Sequence, residues 1–171
     1  MTRAEKERLF VSLFEENKAR VLRLCRGYLN SEVEAEDLFQ EIMSNVWNSL
    51  ERFRQEAKIT TWLYRIAINT ALIYRKKLRR GEALVVGGAV PDIAAAPEAA
   101  SNDEERLRAL RNSIAALPAP DRLIVTLLLE GLSYKEIAEV TGITVNYVGV
   151  KISRIKEALE KLMKGVNHGT A

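Results

Sequence analysis

A single cysteine and a single histidine among 171 residues narrow the chemistry at once. One thiol, Cys25, cannot make an internal disulfide, and with His168 alone in the tail there is no metal-ligand cluster. Cys25 lies among Val21, Leu22 and Leu24, which suits a buried small hydrophobe better than a reactive thiol. No nucleophile–base pair or phosphate-cradling loop appears, so no catalytic residue, metal or cofactor is assigned. No apolar run approaches the ~20 residues of a membrane span. Residues 1–10 are charged rather than signal-like, so the expectation is a cytoplasmic chain without direct membrane insertion.

What is abundant is apolar residues at helical spacing. Apolar content of 47% suffices for packed cores, and the length allows one or two small domains. The net charge of +3 hides a pattern: +5 over residues 1–80, −6 over 81–105 and +4 over 106–171. Two basic segments flank an acidic one, which suits nucleic acid at both ends.

Residues 133–159 carry the clearest local chemistry. Ser133 followed by Glu136 is a capping box, opening a short helix over 134–140 with Ile137 and Val140 on one face. Gly142 supplies a C′ cap and Thr144 a second N-cap. Val145, Val148, Ile152, Ile155, Leu159 and Leu162 then form one apolar stripe, with Asn146, Tyr147, Lys151, Ser153, Arg154 and Lys156 off it. A short helix, a glycine turn and a longer helix with a polar, basic face make a helix-turn-helix, whose second helix enters a major groove. A helical hairpin with a solvated basic face is the blander alternative.

Five further helices are expected. One spans 3–29, with Leu9, Phe10, Leu13, Phe14, Val21, Leu24 and Leu29 inward. Another spans about 34–50, where Leu38, Ile42, Val46 and Leu50 form a row widened by Phe39, Met43 and Trp47. The acids Glu32, Glu34, Glu36 and Asp37 suit its N-terminus. Gln40, Glu41 and Ser44 beside exposed-looking aromatics suggest a partner surface. After a polar loop over 51–59, a helix over 62–80 buries Leu63, Ile66, Ala67, Thr70, Ala71 and Tyr74 and ends in the basic run RKKLRR. That run is a dipole-favoured last turn or a phosphate-binding strip. Aromatic, Asn and Arg side chains ahead of it suit unpaired bases. Residues 81–105 are Ala-rich, punctuated by Gly and Pro, and read as a flexible linker. Beyond it, 106–117 is a helix with Leu107, Leu110, Ile114 and Leu117 inward, and 121–130 is a buried spine (Leu123, Ile124, Val125, Leu127, Leu128, Leu129). The tail from 165 on is expected to be disordered.

The segments AEDLFQEIMSNVWNSL, ITTWLYRIAINTALIYRKKLRR and LPAPDRLIVTLLLEGLSYKEIAEVTGIT resemble bacterial RNA polymerase sigma factors, in particular the small extracytoplasmic-function (ECF) group. The resemblance implies an all-α chain of two helical domains: 1–80 for polymerase and the −10 element, 106–165 for the −35 element, with 81–105 between. It implies that Asp37, Gln40, Glu41, Ser44 and Trp47 dock on the polymerase β′ clamp helices, and that the second domain meets the β flap. It implies that Arg54, Gln55, Lys58, Arg65, Asn69, Arg75, Lys76 and Arg79 take the −10 element; Trp62 belongs to the same motif as core or contact. Asn146, Tyr147, Lys151, Ser153 and Arg154 correspond to the −35 reader. Gly149 and Val150 stand where many relatives carry a basic residue and Ser, so the −35 preference does not carry over. An anti-sigma protein is implied as a further partner. The 25 linker residues, fully extended, reach ~85 Å, enough with a domain at each end for elements ~70 Å apart. The alternative is a stand-alone helix-turn-helix regulator with an N-terminal sensor or dimerisation domain.

Overall fold

The computed structural model describes residues 2–84 and 102–167, and these are all-α. The first half holds α1 (Arg3–Tyr28), α2 (Glu32–Ser49), a 3-10 turn (Leu50–Arg52) and α3 (Ile59–Leu84). The second holds α4 (Asn102–Ala116), α5 (Ala119–Leu129), α6 (Tyr134–Thr141) and α7 (Val145–Asn167). Two small helical domains, the second containing a helix-turn-helix, are as expected.

Local chemistry sets the helix ends. Thr2 and Glu5 form a capping box on α1, the Glu5 carboxylate taking the Thr2 N–H at 2.7 Å. Ser31 caps α2 by accepting the Glu34 N–H, so α2 begins at Glu32, two residues ahead of the apolar pattern. α3 also begins early, at Ile59, with the Trp62 N–H already bonded to the Lys58 carbonyl at 3.1 Å. It continues to Leu84. The basic run therefore lies in the body of the helix, not in a last turn favoured by the dipole. Of the expected linker, 81–84 are helical in α3 and 102–105 in α4, while 85–101 lie outside the described residues. Residues 165–167 belong to α7, and the rest of the tail lies outside the described residues.

In the first half Leu13, Val21, Leu24 and Cys25 of α1 bury against Leu38, Ile42 and Val46 of α2 and Leu63, Ala67 and Ala71 of α3. In the second, α5 is the spine: Leu123, Ile124, Val125 and Leu127 are buried, with Ile137, Val140, Val148, Ile152 and Ile155 around them. Leu129, at the end of that spine, is instead 64% exposed, and Leu107, Val145 and Leu162 also turn outward. Leu129 and Val145 stand at helix ends, and no described element covers Leu107 or Leu162.

The two halves pack against each other, α1 on α5 and α3 on α6. Arg122 of α5 is buried and donates to the Tyr28 carbonyl of α1. Thr126 lies against Gly27, where a Cβ would come within 2.9 Å of its Cγ2. Arg23 makes a two-pronged ion pair with Glu130 at 2.6 and 2.8 Å. This contact explains why Tyr64 and Ile68, placed between the faces of α3 by pattern alone, are both buried. Burial and the nearby Glu130 carboxylate push the Tyr64 phenol up.

Candidate nucleic-acid interface

Three surfaces gather the candidate residues. On α2, Asp37, Gln40 and Ser44 are exposed and Glu41 half-buried, spaced so that they share one stripe. Glu41 accepts from Lys77 of α3 at 3.0 Å. The phenol of Tyr74 on α3 is pushed up by burial and by the charges of Asp37, Glu34 and Glu41, so the stripe carries a negative field. Val33, 70% exposed at the start of this stripe, was not picked out by sequence, because one apolar residue at a helix start breaks no pattern.

Trp47 departs from expectation. Its ring is half-buried, edge-on to Phe10 at 5.3 Å, with the Lys6 ammonium 4.6 Å above it. Phe14 continues the seam from Phe10 to Phe39. The aromatics beside Gln40 and Ser44 are thus folded onto α1, where their area is better spent than in water.

The second surface is the loop over 53–58 together with α3. Arg54, Gln55 and Lys58 are exposed, and Gln55 takes a left-handed backbone, φ 59°. Phe53 packs on Trp62 at 5.2 Å and pins the loop to α3, so Trp62 serves packing. Asn69, Lys76 and Arg79 are exposed along α3. Leu72 and Ile73, 47% and 55% exposed, lie between Asn69 and Lys76; sequence did not flag them, since they read as ordinary helix filling.

Two arginines of this group point elsewhere. Arg75 is half-buried with its guanidinium 5.8 Å over the Tyr28 ring. Its Nε is buried with no partner among the described residues. It packs toward the joint between the halves because its helix turn faces α1. Arg65 reaches across to α6, donating from Nε to the Glu139 carbonyl at 3.2 Å, with Nη2 3.6 Å from the Glu139 carboxylate. Lys58 adds its charge to the Ser133 hydrogen bonds that hold the Glu136 carboxyl below its usual range.

The third surface is the helix-turn-helix. Ser133 and Glu136 form the capping box of α6, Gly142 closes it with φ 76°, and Thr144 caps α7 by accepting the Tyr147 N–H at 3.2 Å. With Val148, Ile152 and Ile155 inward, Asn146, Tyr147, Ser153 and Arg154 face out. Lys151 sits at the edge of this face, its ammonium 6.0 Å from the centre of the Tyr147 ring. Its ammonium lies 2.7 Å from Asp121 at the start of α5, both partly buried, so it struts α7 onto α5. An apolar groove of about 180 Å³ lies on another side of this half, lined by residues such as Leu110, Ile114, Leu128, Ile155 and Leu159.

Comparison with known proteins identifies the family. Residues 13–81 match the sigma-70 region 2 family and 107–159 match sigma-70 region 4. The ECF RNA polymerase sigma-E factor of Escherichia coli is 35% identical over 136 residues, 72% of this chain and 71% of that protein. The RNA polymerase sigma-H factor of Pseudomonas aeruginosa is 32% identical over 170 residues, 92% of this chain and 88% of that one. Two solved structures share the fold. The sigma factor RpoE from Bartonella quintana, crystallised with the anti-sigma factor NepR, has a TM-score of 0.73 at 23% identity, covering 90% of this chain and 97% of that one. CnrH, in complex with the cytosolic domain of CnrY, gives 0.67 at 20%, covering 93% and 90%. With both sigma regions in order on one chain, and relatives matching over most of its length, the protein belongs to the ECF sigma factors and directs transcription initiation.

Proposed function

We infer that the two halves divide the work of promoter recognition. Residues 1–80 bind core polymerase and the −10 element, and 106–165 read the −35 element. The α2 stripe of Asp37, Gln40, Glu41 and Ser44 docks on the β′ clamp helices, with Trp47 holding that helix on α1. Arg54, Gln55, Lys58, Asn69, Lys76 and Arg79 meet strand-separated bases and phosphates of the −10 element, and Arg65 joins them once it leaves Glu139. Asn146, Tyr147, Ser153 and Arg154 enter the −35 major groove, and the apolar groove of the second half takes the β flap. An anti-sigma protein is the regulatory partner, and the chain acts in the cytoplasm beside the polymerase. Nucleotide transfer is the polymerase's chemistry, and this chain supplies recognition.

The observation that carries this reading is the outward face of α7: four polar or basic side chains turned away from the buried Val148, Ile152 and Ile155 on a capped helix-turn-helix. Electrophoretic binding to promoter DNA with and without core polymerase tests it. Specific binding is expected only when core is added. A specific shift by the chain alone would mark a stand-alone regulator.

A further inference from the structure

The centre of the outward face of α7 is apolar. Val150 is 46% exposed. It lies four and three residues after Asn146 and Tyr147, and three and four before Ser153 and Arg154, so it is the helical neighbour of all four. It is opposite the buried stripe of Val148, Ile152 and Ile155. The cation that follows it in sequence, Lys151, is withdrawn to Asp121. The residue before it, Gly149, adds no side chain, and only the Tyr134 ring, 3.9 Å from where a Cβ would stand, comes near.

Local stability does not account for this pair. Gly and Val are both poorer helix formers than Ala, Lys or Glu, and neither is compensated here by burial. Their combined effect is a shallow, apolar step in the middle of a polar reading face. Among base edges in the major groove the apolar group is the 5-methyl of thymine; the other edges present hydrogen-bond donors and acceptors. We propose that Val150 packs on the 5-methyl group of one thymine in the −35 element, with Gly149 letting the helix backbone sit close beside it. This rests on the −35 reading of α7 and adds a specificity-determining residue to it.

The test uses holoenzyme assembled from core polymerase and the full chain. Selection from a promoter pool randomised in the −35 region defines the element. Each thymine in it is then replaced singly by deoxyuridine, which removes the methyl and leaves base pairing intact. Wild-type holoenzyme is expected to lose about fourfold in affinity at one thymine, the worth of one buried methyl group. Val150→Ala and Val150→Ser holoenzymes should bind thymine and deoxyuridine alike at that position. Unchanged thermal unfolding checks that the variants are intact. An element with no methyl-sensitive thymine, or alanine and serine variants that keep the wild-type sensitivity, overturns the role of Val150 alone. A pool from which no −35 element is enriched overturns the −35 reading and Val150 together.

Discussion

Arg122 on α5 holds the carbonyl of Tyr28 on α1, donating to it from Nε at 3.2 Å and from Nη2 at 2.9 Å. Its remaining nitrogen, Nη1, donates to the Ala115 and Leu117 carbonyls at 3.0 and 2.8 Å, just where α4 ends. One planar, delocalised cation thus satisfies the ends of two helices from different halves, which Lys could not do from a single ammonium. Burial and the neighbouring Arg75 lower the Arg122 pKa from its usual value.

Removing it should cost more than an ordinary surface change. Arg122→Ala leaves carbonyls of Tyr28, Ala115 and Leu117 without their donor, and each unsatisfied group costs about 1–3 kcal/mol. A loss of about 3 kcal/mol in denaturant unfolding is expected, and Arg122→Lys should recover less than half. Wild-type stability in the alanine variant would mean that water replaces the guanidinium without penalty.

The same joint engages Arg65, one of the residues proposed for the −10 element, through Glu139 of α6. On that proposal, promoter binding is expected to need the halves to separate. Gly27 and Thr126 offer a lock: a Cβ at residue 27 would stand 3.2 Å from the Thr126 Cβ, close to the ~3.8 Å of a disulfide. A Gly27→Cys, Thr126→Cys chain should lose promoter-directed transcription when oxidised and regain it with reductant. Full activity in the oxidised form would show that the halves work while joined.

Lys151 and Arg154 should behave differently, though both are basic residues of α7. Arg154→Ala should relax preference at one −35 position by about 1–3 kcal/mol. Lys151→Met breaks the contact with Asp121, so it should lower the unfolding midpoint and weaken all promoters alike. Binding to a panel of −35 variants, alongside thermal unfolding, separates the two. A position-specific loss in the Lys151 variant would return it to the reading face.

Cys25 is fully buried, and burial pushes its thiol up to about 12. At neutral pH it should not react with a thiol reagent in the folded chain and should react fully in denaturant. Rapid native labelling would mean that the contact between α1 and α2 opens readily.

How much was legible in the sequence follows from how local each signal is. The capping box at Ser133 and Glu136, the Gly142 turn and the Leu38–Ile42–Val46 row depend on residues within a turn or two, and the structure has them as expected. Arg75, Arg65 and Lys151 read from the sequence as DNA-facing because they are basic and lie in the matching motifs. Their actual partners, Tyr28, Glu139 and Asp121, lie 47, 74 and 30 residues away. A charge pattern along the chain carries no information about such partners. Trp47 is the same case in aromatic form, since its neighbour Phe10 belongs to another helix. Val150 stands out in the sequence as a departure, and its exposure at the centre of four outward side chains is what the proposed role rests on.

The central claim is that this chain, docked on core polymerase by the exposed stripe of α2, confers promoter specificity on it. Run-off transcription from a cognate promoter, with core enzyme alone, with the wild-type chain, and with Asp37→Lys or Gln40→Glu chains, tests it most directly. Specific transcript is expected only with the wild-type chain, while the variants keep wild-type helicity and unfolding midpoints because neither side chain is buried. Specific transcript from variant chains at wild-type levels would remove the α2 stripe as the polymerase contact. Absence of any specific transcript with the wild-type chain would contradict the account as a whole.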